Sequence, residues 1–251
     1  MRLLLTNDDG IRAPGLAALA AELAALGEVA IVAPDRERSA TAHAITLHEP
    51  LRVEEIKRNG RLYGHAVSGT PVDCVKLALV SLMPEPPDFV VAGINPGTNV
   101  GTNAIYSGTV SAAIEGAMCG VTSLAVSIAG PGEPDYAGAA AFARRFIQNL
   151  LAHDCPKGML FNINLPDGPA AGVRGVRITR QGRLMFQEEF HKRTDPQQRT
   201  YYWLGGRLPE PDEGDDADST AVRQGYISVT PLHYDLTDHA ALDRLRSWSF
   251  E

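Results

Sequence analysis

Short apolar runs and longer segments with apolar residues at helical spacing alternate along the first two thirds of the chain. Residues 3–6 and 28–34 have the length and composition of buried strands, and between them a helical pattern extends from Pro14 to Gly27. A strand, a helix and a strand in about 33 residues predict a βαβ unit with parallel strands and a right-handed crossover. The further predicted helices cover residues 69–82, 107–120 and 136–153, and the further predicted strands cover residues 88–94, 122–130 and 158–166.

This alternation predicts the α/β class, with a doubly wound, mostly parallel sheet that carries helices on both faces. The last third differs, because helical periodicity is lost over residues 172–208 and short β-prone runs replace it. We expect a protruding β-hairpin arm there. An acidic solvated loop at residues 209–220, a returning strand at 225–232 and an amphipathic helix at 238–248 are expected to follow.

The pattern also predicts how the chain is divided. We expect residues 1–170 to form the core, and residues 171–251 to add the arm, the returning strand and the C-terminal helix to the same single-domain unit. An arm and a terminal helix have little apolar core of their own, and such segments usually pack on another subunit. We therefore expect the appended part to mediate oligomerisation.

Composition narrows the class of protein. The chain has 251 residues, 44% of them hydrophobic, so a large core is expected. Its net charge is −7 and it has no basic stripe, so binding to long nucleic acid is not expected. No run approaches the roughly 20 apolar residues that span a bilayer, and no signal peptide is recognisable, so a cytoplasmic protein without membrane attachment is expected. The three cysteines are far apart and predict neither disulfides nor a zinc site.

Polar loops follow three of the predicted strands. Asp8 and Asp9 follow the first strand, Ser39 lies in the loop after the second, and Asn95 follows the strand at 88–94. Ligands of open parallel sheets bind beyond the carboxyl ends of the strands, so we expect these loops to meet at one edge. Two carboxylates with two neutral oxygens are a donor set that suits a hard divalent cation. The adjacent aspartates alone also fit a solvated turn.

The third loop leads into a helix at Ser107, Gly108 and Thr109, whose backbone N–H groups lie in the first turn. Such a helix start attracts an anion, most naturally a phosphate, although an ordinary N-cap by Ser107 explains the same residues. The glycine spacing fits neither the dinucleotide fingerprint nor the P-loop. A cation beside a phosphate suits metal-assisted hydrolysis of a phosphate ester, because the metal polarises the P–O bond and lowers the pKa of its bound water.

Five stretches together resemble the SurE survival-protein family. In the family's order they are LLTNDDGIRAPG, IVAPDRERSA, VSGTPVDCVKLAL, GINPGTNVGTNAIYSGTVSAAIEGAMCG and GYISVTPLHYDLTD, and the resemblance extends from residue 2 to about residue 245. The family consists of metal-dependent 5′/3′-nucleotidases that act on nucleoside monophosphates. The resemblance implies a Rossmann-like core with an extended hairpin, assembly as homodimers or homotetramers, and one divalent ion per subunit, Mg²⁺ or Mn²⁺.

The resemblance also implies the residues of the site, position by position. The family's metal ligands correspond to Asp8, Asp9, Ser39 and Asn95, and its phosphate-binding positions correspond to Asn99, Ser107, Gly108 and Thr109. Asp8 and Asp9 are also expected to serve catalysis. Asp8 either orients or deprotonates the attacking water, or is a ligand alone.

Some assignments stay open at this point. Arg36 and Arg38 either contact the substrate or are solvated, and His43 either donates a proton to the leaving alkoxide or has a structural role. A phosphatase that acts mainly on short polyphosphate or another phosphomonoester would need the same metal and phosphate site. A catalytically silent nucleotide-binding regulator is a further alternative, although the intact acidic pair argues against it.

Overall fold

The computed structural model describes residues 1–130, 134–168, 172–210 and 214–250. The strands in these ranges are β1 Arg2–Thr6, β2 Glu28–Pro34, β3 Val53–Arg58, β4 Arg61–Val67, β5 Phe89–Pro96, β6 Thr122–Ile128, β7 Leu160–Leu165, β8 Val176–Ile178, β9 Gln187–Thr194, β10 Thr200–Arg207 and β11 Ile227–Leu232. The α-helices are α1 Pro14–Leu23, α2 Pro71–Leu77, α3 Gly108–Met118, α4 Tyr136–Ala152, α5 Asp218–Arg223 and α6 His239–Leu245. A π-helical turn, Ala78–Leu82, continues α2, and a 3₁₀ turn, Gly101–Ile105, precedes α3.

Nine of the described strands form one sheet, in the order β3-β4-β2-β1-β5-β6-β7-β11-β8. The neighbours from β4 to β7 are parallel, whereas β3 is antiparallel to β4 and β11 is antiparallel to β7. The predicted doubly wound, mostly parallel α/β sheet is therefore confirmed. Its strands are parallel because helices α1 to α4 form crossover connections between them.

Helices cover both faces of the sheet. α1 and α4 pack on one face around a cluster that includes Leu3 and Leu5, and α2 and α3 pack on the other face around a cluster that includes Leu4. Successive residues of a strand point to opposite faces, so the leucine run of β1 contributes to both clusters. All three leucines are fully buried, as expected for a central parallel strand.

The strand order reverses between β1 and β5. From β1 the chain crosses to β2 on one side, and it later returns to β5 on the other side. The register pairs Thr6 with Ala92, so the carboxyl ends of the two strands lie side by side. Asp8 and Asp9, after β1, and Asn95, near the end of β5, therefore lie at the crevice where open α/β sheets bind ligands.

The structure adds a hairpin that the sequence pattern did not predict. β3 and β4 are joined by Asn59 and Gly60, both with positive φ, in an Asn-Gly turn typical of two-residue hairpins. β4 then pairs with β2 and extends the sheet. The helix after it begins as predicted, because Thr70 and Asp73 form a capping box around Pro71.

The predicted arm is present but shorter than expected. β9 and β10 form a separate two-stranded antiparallel hairpin, whereas β8, within the region assigned to the arm, pairs with β11 in the main sheet. The returning strand is β11 and the C-terminal helix is α6, both as predicted. The expected boundary at residues 170 and 171 lies outside the described residues.

The acidic segment is not the solvated loop that we expected. Its last residues form α5, and Asp218 is fully buried. The Asp218 carboxylate accepts hydrogen bonds from the N–H groups of Gly101 and Gly182, at 3.0 and 2.9 Å, which explains why a charged residue is buried there. Residues 211–213 of the same segment lie outside the described residues. Among the described helices, none has the length and apolarity needed to cross a bilayer.

Candidate active site

Asp8 is held by the first turn of α3. Its Oδ1 accepts a hydrogen bond from Thr109 Oγ1 at 2.6 Å, and its Oδ2 accepts one from the Thr109 N–H at 3.2 Å. Burial raises the pKa of Asp8, and the hydrogen bonds from Thr109 offset only part of that shift. This contact joins the end of β1 to a helix N-terminus, where the helix dipole favours a negative charge.

Asp9 has a carboxylate oxygen without a hydrogen-bond partner. Its Oδ2 is buried and has no partner within the described part of the chain. Burial, the charge of Asp8 and the charge of Glu37 together raise the pKa of Asp9 to about 7. Carboxylates that share a partly buried site need a cation or a proton between them, so the acidic pair has the property expected of a metal site.

Ser39 lies on a loop that contacts the acidic turn. The N–H of Arg38 donates to the main-chain carbonyl of Asp8 at 2.7 Å, and Ser39 is the next residue. The Ser39 hydroxyl is exposed and donates to Glu37 Oε1 at 2.6 Å. A hydroxyl that donates its proton to a carboxylate keeps its oxygen lone pairs, so Ser39 can still provide a ligand.

Asn95 lies at the end of β5, beside β1. Its Nδ2 donates to the carbonyl of Gly97 at 2.6 Å, which leaves its Oδ1 as the atom that could coordinate a cation. Among the described residues, no group of three or more His, Cys, Asp and Glu side chains forms a metal site. If the two aspartates hold a cation, further oxygen ligands would come from neutral side chains such as those of Asn95 and Ser39. An all-oxygen set of this kind fits a hard divalent cation.

The predicted phosphate site is at the start of α3. Ser107 is the N-cap, and its Oγ accepts a hydrogen bond from the Val110 N–H at 3.1 Å. The Thr109 N–H is used by Asp8, whereas the Gly108 N–H has no partner in the ranges that the structure describes. The N-cap interpretation is therefore correct for Ser107, and it leaves the Gly108 N–H available to an anion.

Asn99 is buried on the loop between β5 and α3, with 9% of its surface exposed. Its Nδ2 donates to Ser127 Oγ at 2.8 Å, so one N–H of the amide is engaged and the other is left for a ligand. Asn99 lies on the same loop as Asn95 and precedes the helix start at Ser107. The loop thus connects the predicted metal ligand to the predicted phosphate site.

The contacts of His43 favour a structural role over that of a proton donor. Its Nε2 lies 2.9 Å from Glu115 Oε2, while Lys76 Nζ donates to Glu115 Oε1 at 2.6 Å. The hydrogen bond to His43, opposed by burial and aided by Lys76, lowers the pKa of the Glu115 carboxyl. These contacts anchor the loop after β2 to α2 and α3, which favours the structural role of His43.

The two loop arginines also make protein contacts. Arg38 donates to the carbonyl of Ser68 and lies 3.6 Å from the Asp35 carboxylate. Arg36 is largely exposed and lies 3.9 Å from Asp35. The contacts of Arg38 therefore hold the loop, and Arg36 remains the more accessible of the two.

Two further residues lie near the acidic pair and were not singled out from the sequence. Glu37 is close enough for its charge to raise the pKa of both Asp8 and Asp9. Tyr136 begins α4, and burial together with the charge of Asp9 raises the pKa of its phenol. A signal for Tyr136 existed, because it follows the predicted strand at 122–130, whose carboxyl end lies at the same edge of the sheet.

The fold and the site together define an α/β protein in which an acidic pair at the switch point of the sheet contacts the N-terminus of a helix. Such a protein can hold a cation and an anion side by side. The family model described as "Survival protein SurE" matches residues 3–188, and the chain belongs to this family. The resemblance stated from the five sequence stretches is confirmed.

Individual relatives match over almost the whole chain. A protein named 5′-nucleotidase SurE from Desulforudis audaxviator is 51% identical over 253 residues, which cover 99% of this chain and 97% of that protein. Another of the same name from Heliobacterium modesticaldum is 48% identical over 249 residues, which cover 99% of this chain and 92% of that protein. The crystal structure of the SurE protein from Aquifex aeolicus aligns with a TM-score of 0.85 at 36% identity and covers 98% of both chains.

Proposed function

We propose that this chain is a metal-dependent nucleotidase, which hydrolyses nucleoside 5′- and 3′-monophosphates to nucleosides and orthophosphate. The observation that carries the proposal is the double hydrogen bond between Thr109 and Asp8, because it places the acidic pair against the first turn of α3. The relatives named 5′-nucleotidase SurE support the same activity.

We assign one divalent cation per subunit, Mg²⁺ or Mn²⁺, to Asp8, Asp9, Ser39 and Asn95. Two observations support this assignment: the unpartnered buried oxygen of Asp9, and a donor set made of oxygen only. A bound divalent cation polarises a phosphate ester and lowers the pKa of coordinated water.

We assign the phosphate group to the Gly108 N–H, the Ser107 hydroxyl and the Asn99 amide. The positive end of the α3 dipole favours the charge that develops on the equatorial phosphate oxygens as the reaction proceeds. Thr109 gives both its N–H and its hydroxyl to Asp8, so we infer that it contributes to phosphate binding chiefly through the position of Asp8.

In the proposed reaction, water attacks phosphorus, the ester P–O bond breaks, and the departing alkoxide takes up a proton. Asp8 is our choice for the group that orients or deprotonates this water, since Thr109 holds its carboxylate in one place. Asp9 contributes charge beside it. Asp8 contacts Thr109 in the first turn of α3, so water bound at Asp8 would lie close to a phosphorus held at that helix start.

The experiment is phosphate release from nucleoside 5′- and 3′-monophosphates, a sugar phosphate and short polyphosphate, each with Mg²⁺, Mn²⁺ or chelator. We expect metal-dependent release from the nucleotides, and a loss of about 10²-fold or more in Asp8→Asn. Asp154→Asn removes an exposed carboxylate outside the site and is expected to keep full activity.

Two results would contradict the proposal in different ways. A folded, metal-loaded protein that binds nucleotide but releases no phosphate from any compound would be the regulator. Preferred hydrolysis of polyphosphate or of the sugar phosphate would instead support the other phosphatase, because the same metal and phosphate site serves those substrates.

We also propose that the protein forms homodimers or homotetramers. The hairpin of β9 and β10 is separate from the main sheet, and four of its apolar side chains, Phe190, Tyr202, Trp203 and Leu204, are each more than half exposed. Exposed apolar side chains grouped on one arm are typical of an interaction surface. A cytoplasmic location stays a prediction from the sequence.

A further inference from the structure

Two asparagines lie in the interior of the sheet, on strand β7. Asn162 and Asn164 are fully buried and alternate with Ile163, so both point to the face that α2 and α3 cover. Their neighbours on both sides along the strand are apolar and buried. Apolar side chains could fill these positions without the cost of burying a polar amide, so the asparagines require an explanation.

Both asparagines bind the main chain of Asn99. The Asn99 N–H donates to Asn164 Oδ1 at 2.8 Å, and Asn162 Nδ2 donates to the Asn99 carbonyl at 2.8 Å. A backbone N–H can only donate and a carbonyl can only accept, so these contacts determine the orientation of both amides. The two side chains thus make the hydrogen bonds to the Asn99 main chain that a neighbouring strand would make in a sheet.

The side chain of Asn99 is bound by a residue of the neighbouring strand β6. Its Nδ2 donates to Ser127 Oγ at 2.8 Å, and the register of β6 and β7 pairs Ser127 with Asn164. Ser127 is also fully buried. Both the peptide group and the amide of Asn99 are therefore held by polar side chains of the sheet.

This arrangement does not maximise stability. Asn162 Oδ1 and Asn164 Nδ2 are buried and have no partner in the described part of the chain. A buried polar atom without a partner is costly, and each asparagine bears that cost at its second amide atom while its first binds Asn99. A role in placing Asn99 accounts for both asparagines, whereas a role in packing accounts for neither.

We infer that Asn162, Asn164 and Ser127 are positioning residues, which hold Asn99 in the geometry that binds the substrate phosphate. The inference rests on the proposed function, since that proposal assigns Asn99 to the phosphate group. The three residues touch neither the acidic pair nor the start of α3 through any hydrogen bond within the described residues. They act through Asn99 and should leave cation binding unchanged.

The test compares Asn164→Leu and Asn162→Leu with Thr230→Val. Thr230 is buried in the neighbouring strand β11, where its hydroxyl lies 2.7 Å from Thr179 Oγ1, and within the described residues it makes no hydrogen bond to the loop that carries Asn99. The affinity for orthophosphate is measured by calorimetry in the presence of Mg²⁺, together with KM and kcat for a nucleoside monophosphate. Thermal stabilisation by Mg²⁺ alone reports on the cation site.

We expect each leucine variant to lose about tenfold in orthophosphate affinity and to raise KM by a similar factor, with unchanged stabilisation by Mg²⁺. Thr230→Val should match the wild type. The decisive comparison is a double-mutant cycle, because Asn164→Leu should add no further loss in an Asn99→Ala background. A merely structural effect would lower affinity equally in both backgrounds.

Unchanged affinity in the leucine variants, or equal losses in the two backgrounds, would overturn the inference. If a leucine variant does not fold, Asn164→Ala is judged by the same cycle. A wild type that binds orthophosphate but hydrolyses no substrate would contradict the proposed function. The double-mutant cycle on orthophosphate binding would still test whether Asn162 and Asn164 position Asn99. A wild type that neither binds orthophosphate nor hydrolyses nucleotides would overturn both.

Discussion

At the scale of single residues, the site depends on how closely α3 approaches the acidic turn. A Cβ atom added to Gly108 would lie 2.9 Å from Asp8 Cβ and 3.0 Å from Asp8 Oδ2. Glycine at this position therefore lets the helix start touch Asp8, so that Thr109 can donate to it twice. Close contact between the proposed cation and phosphate sites follows from the missing side chain.

We predict that Gly108→Ala lowers kcat/KM for nucleoside monophosphates by about 10²-fold, because the methyl group pushes Asp8 and the helix start apart. The free energy of unfolding should fall by only about 1–3 kcal/mol, as for other overpacked sites. Kinetics and urea unfolding measure the two effects. Gly172→Ala is the matched control, since its Cβ would have no neighbour within 4 Å. Equal activity of the two variants would refute the role of Gly108.

At the scale of elements, α3 connects the site to the loop after β2. Gly108 begins the helix, and Glu115 lies seven residues later, about two turns along nearly the same face. Glu115 is 2% exposed and binds both His43, on the loop, and Lys76, on α2. The helix whose start we propose as the phosphate site thus also holds the loop that carries Ser39.

This arrangement predicts a pH dependence of stability. The pKa of Glu115 is lowered from its ordinary value of 4.5 in the folded chain, so its ionised form stabilises the fold above about pH 4.5. That contribution is lost as the pH falls through the lowered pKa. Glu115→Gln should reduce the free energy of unfolding by about 1.5–3 kcal/mol at pH 7, and by less as the pH falls towards 3.

Urea unfolding of the wild type and of Glu115→Gln between pH 3 and pH 7 measures this difference. Glu54→Gln, at an exposed position of strand β3, is the control and should not change the free energy of unfolding at any pH. A difference between wild type and Glu115→Gln that is constant over the range would show that packing, and not the charge of Glu115, explains the loss.

At the scale of the whole molecule, the hairpin of β9 and β10 has little support from the rest of the described chain. All but one of its strand residues are exposed, and its two strands pair only with each other among the described strands. A two-stranded hairpin alone is marginally stable in water. Contact with another subunit would supply the missing burial.

We predict that the pair of changes Phe190→Glu and Leu204→Lys shifts the protein to a smaller assembly, measured as molar mass by light scattering. The two residues are cross-strand partners, so the new charges form an ion pair within the hairpin while the apolar surface is lost. Gln197→Glu with Gln198→Lys changes the exposed turn in the same manner and should leave the mass unchanged. An unchanged mass in the first variant would contradict the assignment of this surface.

The sequence by itself determined the α/β class and the edge of the sheet where the site lies. Both follow from local patterns, because buried strands, helix starts such as Thr70 and Pro71, and polar strand ends depend on residues close together in the chain. The ends of parallel strands meet at one edge, so Asp8 and Asn95 could be placed there before any coordinates. The five stretches then supplied the family.

Only the tertiary structure decided which chemically similar residues do what. β8 and β9 both lie in the stretch for which an arm was expected, yet β8 joins the main sheet because β11 lies beside it. Asp218 looks like a surface acid in the sequence, but its contact with Gly101 spans 117 positions. The hydrogen bonds of Asn99 to Asn162 and Asn164 span 63 and 65 positions. Such contacts depend on how distant segments pack, and local propensities do not contain this information.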